Sequence, residues 1–458
     1  MSQRSLDDAL KTAKSPVDLL RNSQIGPYAF PVVKPEFTNW RDEQKAWQTT
    51  VALMDQSHHM TDLYVEGPDA VRLFSDFGVN SFKTFKPGQA KQFLAVNHQG
   101  YVIGDAILFF LSENRLNLVG RPPAHNWVQF NAEKGKYNVK LERDERTFAN
   151  QGQRKVYRFE VQGPDAVKLM TKLLGSAPPE IGFFKLGQFR IASRDVGVLR
   201  HGMVGQPGWE LFGPLEHGEE VRAAIVEAGK EFGLRQVGSM AYPTTGIESG
   251  WIPSPFPAVY TSPEMKEYRQ WLKDTSYEAM ASLGGSYVGT IEDYYLTPWD
   301  LGYGHMVKFD HDFYGRAALE AMRDKPHRKK VTLVWDGDDT TKVFASMFRD
   351  GQNAKHIQLP LANYATLPFD KVTSGGTWVG FSTYTGYSYN FKSMLSLGMV
   401  DAAQSETGTE VTITWGEESG GTSKPTVERH VQADIRAVVQ PAPLSEAART
   451  AYRPTMKV

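Results

Sequence analysis

Apolar and polar positions alternate in two stretches of this chain, and each stretch is followed by a turn and by apolar positions at helical spacing. The segment 65–71 reads Val-Glu-Gly-Pro-Asp-Ala-Val, and 161–167 repeats it with one change. Alternation predicts a strand, and the spacing of Val71, Phe74 and Phe77 predicts a helix with proline in its first turn. The strand–turn–helix unit therefore occurs twice, which indicates a duplicated subdomain with a ligand cleft between its halves.

Shorter alternating runs follow the first copy. The runs 92–96, 101–111 and 115–119 are separated by short polar turns. Such spacing is typical of antiparallel hairpins. Ahead of the first copy, residues 7–21 have a helical pattern.

The pattern changes after a charged stretch at 323–330, which we interpret as a solvated linker. From there to the C-terminus the chain reads as short strands with Gly-rich turns, which predicts an all-β sandwich or barrel. The predicted strands are 331–335, 376–383, 394–401, 410–415 and 431–439.

These patterns predict an α+β fold built from duplicated ferredoxin-like, antiparallel halves and a C-terminal all-β barrel domain. We expect an N-terminal segment at 1–50, a first half at 51–150 and a second half at 151–325. The second half carries an insertion at 253–289, and the barrel domain spans 331–458.

Composition narrows the class of protein. The 458 residues contain 51 Lys and Arg against 52 Asp and Glu, and no cysteine. This balance argues against a nucleic acid or an anionic membrane as partner. The lack of cysteine excludes disulfides, thiolate nucleophiles and sulfur metal ligands. Neither a signal peptide nor a membrane span is visible, so we expect a cytoplasmic enzyme.

Several common cofactor motifs are missing. The chain has no phosphate-binding Walker loop and no dinucleotide fingerprint; Gly302-Tyr303-Gly304 comes near, with Val307 where a third glycine is needed. His58 and His59 are adjacent and would point to opposite faces of a strand, so they could not bind one metal together. We therefore expect no metal and no nucleotide cofactor.

Five polar or aromatic positions have both a structural and a functional interpretation. Gln56 and a neighbouring histidine either form hydrogen bonds with the backbone of a turn or face the cleft. Arg121, which precedes two prolines, is either a surface residue or an anchor for a carboxylate. Glu210 is exposed or pairs with a planar N–H edge. Tyr242 is a general acid only beside a leaving oxygen. Trp251 is a core residue or a stacking platform.

Taken together, these motifs resemble the folate-binding family of the glycine-cleavage T-protein. The segments that carry the resemblance extend over nearly the whole chain, and the pattern is specific as a set. They are Asp55-Gln56-Ser57-His58, the two Gly-Pro segments, Gly208-Trp209-Glu210-Leu211, Pro298-Trp299-Asp300-Leu301-Gly302, 312–319 and 375–409.

Three departures resemble one subgroup of that family, the tetrahydrofolate-dependent aryl O-demethylases. A paired aspartate of the T-protein is reduced to Gly104-Asp105, Arg121 replaces a small residue after its strand, and the insertion at 253–289 is added. An arginine at that position suits an acidic substrate. The resemblance implies syringate as substrate first, with vanillate or 3-O-methylgallate as alternatives, and methyl transfer to N5 of tetrahydrofolate, giving 5-methyltetrahydrofolate and a catechol.

The resemblance also implies site residues, with no obligatory protein partner, no nucleic acid and no membrane. Tyr242 and His59 would be catalytic. The aromatic acid would be bound by Arg121, Gln56, His59, Phe30 and His58, and the folate co-substrate by Glu210, Trp251 and Asp105. Two alternatives stay open: a glycine-cleavage-type aminomethyltransferase and a non-catalytic folate-binding protein. A sarcosine-oxidase-type subunit is a weaker alternative, because the chain lacks a flavin fingerprint.

Overall fold

Two sheets and a closed barrel make up the framework of the molecule. The computed structural model describes residues 4–150, 152–253, 255–421 and 424–451. The α-helices of this part are Leu6–Thr12, Pro16–Arg21, Trp40–Thr49, Ala70–Phe77, Pro122–Lys134, Ala166–Leu174, Gly218–Gly229, Thr245–Ser249, Lys266–Trp271, Tyr277–Met280, Arg316–Met322 and Gly337–Ser346. Among the residues described, no helix combines the length and apolarity that crossing a bilayer requires.

The first sheet has five antiparallel strands. In spatial order these are Gln89–Val96, Val102–Ser112, Arg115–Gly120, Thr61–Glu66 and Lys140–Asp144. The hairpins expected from the alternating runs are confirmed. The first strand begins three residues earlier than predicted, and the other two differ from the prediction by one residue at their ends. One face of this sheet packs against helix Pro122–Lys134, which begins directly after the third strand.

The second sheet has six strands and takes one of them from the stretch that precedes the first repeat. Its spatial order is Arg235–Val237, Ala52–Asp55, Val156–Gln162, Gly208–Pro214, Arg194–Leu199 and Leu186–Ile191. The first two of these are parallel, and all other neighbours are antiparallel. Because Ala52–Asp55 pairs with Val156–Gln162, the chain runs from the second sheet into the first within a few residues.

The repeated Gly-Pro-Asp segments have nearly identical backbone geometry. Gly67 and Gly163 have φ of 146° and 145°. A Cβ on Gly163 would lie 2.4 Å from the carbonyl oxygen of Thr50, and one on Gly67 would lie 2.3 Å from that of Asn138. Both helices start two residues after the proline, so the expectation of proline in the first helical turn was wrong.

The C-terminal region forms a closed six-stranded barrel, as expected, with additions. Its strands, in order around the barrel, are Lys329–Trp335, Ser393–Val400, Thr377–Ser388, Asp370–Ser374, Glu410–Trp415 and Ala433–Pro441. Strand Asp370–Ser374 was missed, because its sequence is largely polar. The region is also not all-β, since helix Gly337–Ser346 lies against the strand Ala433–Pro441. A short parallel pair, Leu283–Gly284 with Leu367–Pro368, joins the insertion to the barrel domain.

The charged stretch at 323–330 is only partly a solvated linker, so that interpretation needs correction. Lys329 and Lys330 are the first residues of a barrel strand. The guanidinium of Arg328 lies 4.6 Å from the ring centre of Trp378, and Lys330 Nζ lies 5.2 Å from that of Tyr303. Aromatic rings therefore hold the end of this stretch in place.

The first two N-terminal helices pack on the insertion, and the insertion packs on helix Pro122–Lys134 of the first half. The expected helical stretch at 7–21 is divided into two helices, since Ser15 caps a second helix that starts at Pro16. In the insertion, Tyr268 packs edge-on against Trp127 with ring centres 4.9 Å apart. Asn126 Nδ2 donates to the buried carboxylate of Glu278 at 2.8 Å. These contacts hold helix Pro122–Lys134 from its outer side.

The carbonyl oxygen of Thr50 lies so close to Gly163 that a side chain at this position is expected to lower stability. We expect Gly163→Ala to lower the free energy of unfolding by about 3 kcal/mol or more, because its backbone conformation costs about 1–3 kcal/mol for an L-residue and the added Cβ overlaps Thr50. Chemical denaturation measures this. The control is Gly175→Ala, where φ is 73° and no described atom lies within 4 Å, so we expect a loss of about 1–2 kcal/mol. Equal losses in the two variants would contradict the role given to the backbone overlap.

Candidate active site

A cavity of about 510 Å³ lies between the two sheets and is closed on one side by the barrel domain. Its volume is within the usual range for small-molecule sites, roughly 300–1,000 Å³. Eight predicted site residues line it: Phe30, Gln56, His59, Asp105, Arg121, Glu210, Tyr242 and Trp251. The ninth, His58, does not; its Nδ1 lies 3.0 Å from the hydroxyl of Thr147. The structure therefore brings the predicted set together with this exception.

Tyr242 is at the centre of a cluster of polar and aromatic side chains. It begins a short 3₁₀ turn, Tyr242–Thr244, and its hydroxyl lies 3.2 Å from His59 Nε2. Gln56 Nε2 donates to the same hydroxyl at 3.3 Å. Phe30 packs against both rings, with centre distances of 5.3 Å to Tyr242 and 4.9 Å to His59. The phenol oxygen is thus approached by two nitrogen atoms inside an aromatic enclosure.

Burial keeps both Tyr242 and His59 neutral. It raises the pKa of Tyr242 well above 10, and the nearby Glu160 adds to that shift. Burial lowers the pKa of His59 to about 3, with a further contribution from the Arg121 charge. At neutral pH the tyrosine is therefore a protonated phenol and the histidine an uncharged imidazole. In its Nε2–H tautomer His59 donates to the Tyr242 oxygen.

Arg121 is held rigidly at the start of helix Pro122–Lys134. It is the residue that precedes the first helical turn, which contains two prolines. His125, one turn later, has its Nδ1 2.9 Å from the Arg121 carbonyl and its Nε2 2.8 Å from that of Leu118. The guanidinium stacks on the ring of Tyr28 at 3.9 Å. A planar cation fixed in this way suits a carboxylate.

Glu210 lies at the end of a buried chain of alternating charges. Its Oε1 accepts from Arg158 at 2.5 Å, and Arg158 also donates to Asp62 at 2.8 Å. Asp62 in turn accepts from Arg154 at 2.6 Å, and Arg154 Nη1 lies 3.2 Å from Asp144. The predicted alternation around Glu210 is confirmed, because Trp209 and Leu211 point into the core of the second half. Glu210 therefore carries a carboxylate on the cavity side of its strand.

Asp105 belongs to a second polar cluster. Its Oδ2 accepts from Gln92 at 2.6 Å and from the Tyr303 hydroxyl at 3.3 Å. Burial raises its pKa, and hydrogen bonds from Gln92, Tyr303 and the Trp251 indole oppose that shift. The Trp251 indole is close to this carboxylate, and both line the cavity.

Several residues of the site were not predicted from the sequence. Glu160 is fully buried and bonded to Gln56, while His201, Tyr384 and Arg449 line the cavity. A signal for Glu160 was present, since Arg158, Glu160 and Gln162 alternate with the apolar residues of a buried strand. Tyr384 and Arg449 come from distant parts of the chain, and no local pattern marks them.

The cavity therefore combines three chemical functions. A fixed guanidinium can bind an acid, a neutral phenol can donate a proton, and a carboxylate can accept hydrogen bonds from an N–H edge. Within the described residues, no group of three or more His, Asp or Glu side chains is placed to hold a metal ion. The residues suit group transfer between two bound molecules.

Comparisons with known proteins agree on one family. A family model described as the GCVT N-terminal domain matches residues 23–254. Syringate O-demethylase of Sphingobium sp. (strain NBRC 103272 / SYK-6) is 51% identical over 451 residues, 98% of each chain. Sesamin methylene transferase of Sinomonas sp. (strain No.22) is 29% identical over 373 residues, 78% of this chain and 80% of that protein.

More distant matches are aminomethyltransferases. An aminomethyltransferase of Caldanaerobacter subterraneus subsp. tengcongensis is 25% identical over 415 residues, covering 89% of this chain and 92% of that protein. The crystal structure of aminomethyltransferase T of the glycine cleavage system from Bartonella henselae matches with a TM-score of 0.61 at 19% identity. That match covers 94% of this chain and 98% of the other.

Proposed function

The chain belongs to the GCVT family of tetrahydrofolate-dependent transferases, and we propose that it O-demethylates a methoxylated aromatic acid, with syringate as the first candidate. The products would be 5-methyltetrahydrofolate and a catechol. The observation that carries this proposal is the meeting of Arg121, Tyr242 and Glu210 in one cavity. The 51% identity to a syringate O-demethylase supports the choice of substrate.

The residues of the cavity fit a reduced pterin. Glu210 offers a carboxylate to a planar N–H edge, and Trp251 offers a ring face. His201 also lines the cavity, and its Nδ1 has no hydrogen-bond partner within the part of the chain described. Tetrahydrofolate, when bound, supplies the nitrogen nucleophile that accepts the methyl group. Asp105 would bind on the same side, through the cluster that it forms with Gln92 and Trp251.

Arg121, Tyr242 and their neighbours would act on the aromatic acid. Arg121 binds the carboxylate and so fixes the direction of the ring. The methyl–oxygen bond breaks with its electron pair left on the ether oxygen, which becomes a phenolate unless it takes up a proton. Phenols have a pKa of about 10, so this leaving group is poor without an acid. Tyr242 donates that proton, and the N–H groups of Gln56 and His59 stabilise the resulting tyrosinate. The folate nitrogen that gains the methyl group would give up its own proton, and one proton would return to Tyr242, so that the phenol is restored and the products are neutral.

One assay tests the proposal directly. The purified chain is incubated with tetrahydrofolate and syringate, vanillate or 3-O-methylgallate, and both products are followed by mass spectrometry. Stoichiometric methyl transfer without any other protein supports the proposal. Transfer from an aminomethyl-lipoyl carrier in place of the aromatic acid would establish the aminomethyltransferase instead. Tight folate binding without any transfer would indicate a folate-binding protein.

The first variant tests whether Arg121 is the acid anchor, the residue that binds the carboxylate of the aromatic acid. We expect Arg121→Gln to raise the KM for the aromatic acid about ten- to a hundredfold, because a charge-assisted hydrogen bond is worth about 1.5–3 kcal/mol. The KM for the corresponding aldehyde, which has no carboxylate, should change much less. The matched control is Arg146→Gln, because Arg146 also stacks on Tyr28, at 5.0 Å, and is not among the cavity residues. An unchanged KM in Arg121→Gln would remove this role.

The second variant tests the proton donor. We expect Tyr242→Phe to lower kcat about 10²- to 10⁴-fold, the usual contribution of a general acid. Folate affinity, measured by calorimetry, should stay at the wild-type value, since Tyr242 acts on the ether oxygen. An electron-withdrawing ring substituent makes the phenolate a better leaving group, so substrates that carry one should lose less rate in Tyr242→Phe. Normal turnover in Tyr242→Phe would show that the proton comes from another group.

The third variant tests the pterin contact. We expect Glu210→Gln to weaken tetrahydrofolate binding about tenfold or more, because an amide replaces a charged acceptor. Calorimetry without the aromatic acid measures this effect alone. Arg121→Gln is the control, and its folate affinity should remain normal. Wild-type folate affinity in Glu210→Gln would place the pterin elsewhere in the cavity.

A further inference from the structure

Glu160 is a fully buried carboxyl group beside the proposed proton donor. One oxygen, Oε1, accepts from the backbone N–H of Met203 at 2.6 Å. The other, Oε2, accepts from Gln56 Nε2 at 2.7 Å. The same Gln56 nitrogen donates to the Tyr242 hydroxyl at 3.3 Å. The two hydrogens of one amide group therefore connect Glu160 to Tyr242.

The surrounding charges do not neutralise Glu160. Arg158, two positions earlier on the same strand, uses its two terminal nitrogens on Asp62 and Glu210. Glu210 lies directly opposite Glu160 in the register of the paired strands. A buried carboxyl group next to a second one and without its own cation is costly to ionise. An apolar residue at this position would be less costly, so a polar role needs to be explained.

We propose that Glu160 is a positioning residue that sets the direction of the Gln56 amide and thereby directs the Tyr242 proton toward the ligand. The proposal rests on the proposed function, in which Tyr242 protonates the leaving oxygen. Ionised Glu160 has only acceptors, so it draws the NH₂ end of Gln56 toward itself. The second N–H then points at the Tyr242 oxygen, which leaves the phenol proton for a ligand in the cavity.

Protonation of Glu160 reverses this arrangement. The carbonyl oxygen still accepts from Met203, but the hydroxyl is now a donor and needs an acceptor. That acceptor is Gln56 Oε1, which has no hydrogen-bond partner among the residues that the structure describes. Turning the amide by half a turn brings Oε1 between Glu160 and Tyr242. The tyrosine proton is then held by Gln56 and is no longer available to the leaving oxygen.

The pH range of this reversal can be assigned. Burial raises the pKa of Glu160 to about 8, so the carboxyl group is protonated below that pH and ionised above it. His59 has a pKa of about 3, and the pKa of Tyr242 lies well above 10, so neither titrates in this range. The titratable or charged groups around Glu160 and the Tyr242 hydroxyl are Arg121, Arg158, His59, His201, Glu210, Tyr242 and Tyr384. Burial raises the pKa of Tyr384 to about 12, so it does not titrate in this range either. Burial lowers the pKa of His201 below its ordinary value.

Glu160→Gln is a sharp test because it has the shape of the protonated acid. Its carbonyl oxygen accepts from the Met203 N–H. Its NH₂ group needs an acceptor, so the Gln56 amide is turned at every pH. In the wild-type enzyme we expect kcat to rise as pH increases through about 8. In Glu160→Gln we expect kcat to be about ten- to a hundredfold lower, flat over this range and equal to the acid limit of the wild type. The KM for the aromatic acid should change little.

A matched control separates positioning from folding. Glu278 is equally buried and accepts from the amide of Asn126, but it lies outside the cavity lining. Glu278→Gln should keep the wild-type pH dependence of kcat. Because Glu278 braces the helix that carries Arg121, its loss would act on the KM for the aromatic acid and not on this pH dependence. Infrared difference spectra provide a readout without turnover: a carboxylic-acid band should disappear as pH rises through about 8 in the wild type and be absent from Glu160→Gln.

Two results would overturn the proposal. One is a wild-type kcat and pH profile in Glu160→Gln; the other is an infrared titration that persists in that variant. Either result leaves the proposed function intact as long as the wild type demethylates the aromatic acid. If the wild type transfers no methyl group from any methoxybenzoate, the proposed function itself fails, and the infrared titration still decides whether Glu160 carries the buried proton.

Discussion

The buried chain of charges from Asp144 to Glu210 is the constraint on which the site depends. Asp62 and Asp144 lie on strands of the first sheet, whereas Arg158 and Glu210 lie on strands of the second. Arg154, just before strand Val156–Gln162 of the second sheet, joins them. Removing a charge from water costs several kcal/mol, and only close, well-directed partners offset it. The two sheets must therefore keep one relative position, because any shift would leave a buried charge unpaired.

This constraint also determines the polarity of the cavity. The buried chain of charges contains three carboxylates and two guanidiniums, and its last member, Glu210, lines the cavity. Arg121 belongs to a different structure, the start of a helix on the first sheet. A molecule with an acid group and a molecule with an N–H edge are therefore drawn to different walls of one cavity. The same shortage of cations leaves Glu160 able to take up a proton.

The sequence predicted those features that depend on short-range patterns. Alternation identified the hairpins and the buried neighbours of Glu210, and the repeated Gly-Pro segment identified the duplication. The sequence did not predict features that depend on contacts between residues far apart in the chain. The alternation in strand Val156–Gln162 was a local signal for Glu160, but neither its register opposite Glu210 nor its bond to Gln56 is visible locally. The polar strand Asp370–Ser374 was missed for a similar reason, since barrel closure and not its own pattern makes it a strand.

Arg121 and Glu210 are held in place by different parts of the structure. Helix Pro122–Lys134 holds Arg121 and is itself braced by the insertion through Tyr268 and Glu278. Glu210 is held by Arg158 and the charge chain, and none of its contacts among the described residues comes from the insertion. A change in the insertion would therefore move the acid anchor without disturbing the carboxylate proposed for the pterin. With the proposed roles of Arg121 and Glu210, substrate choice would follow the packing behind Arg121, whereas folate binding would follow the pairing of the two sheets.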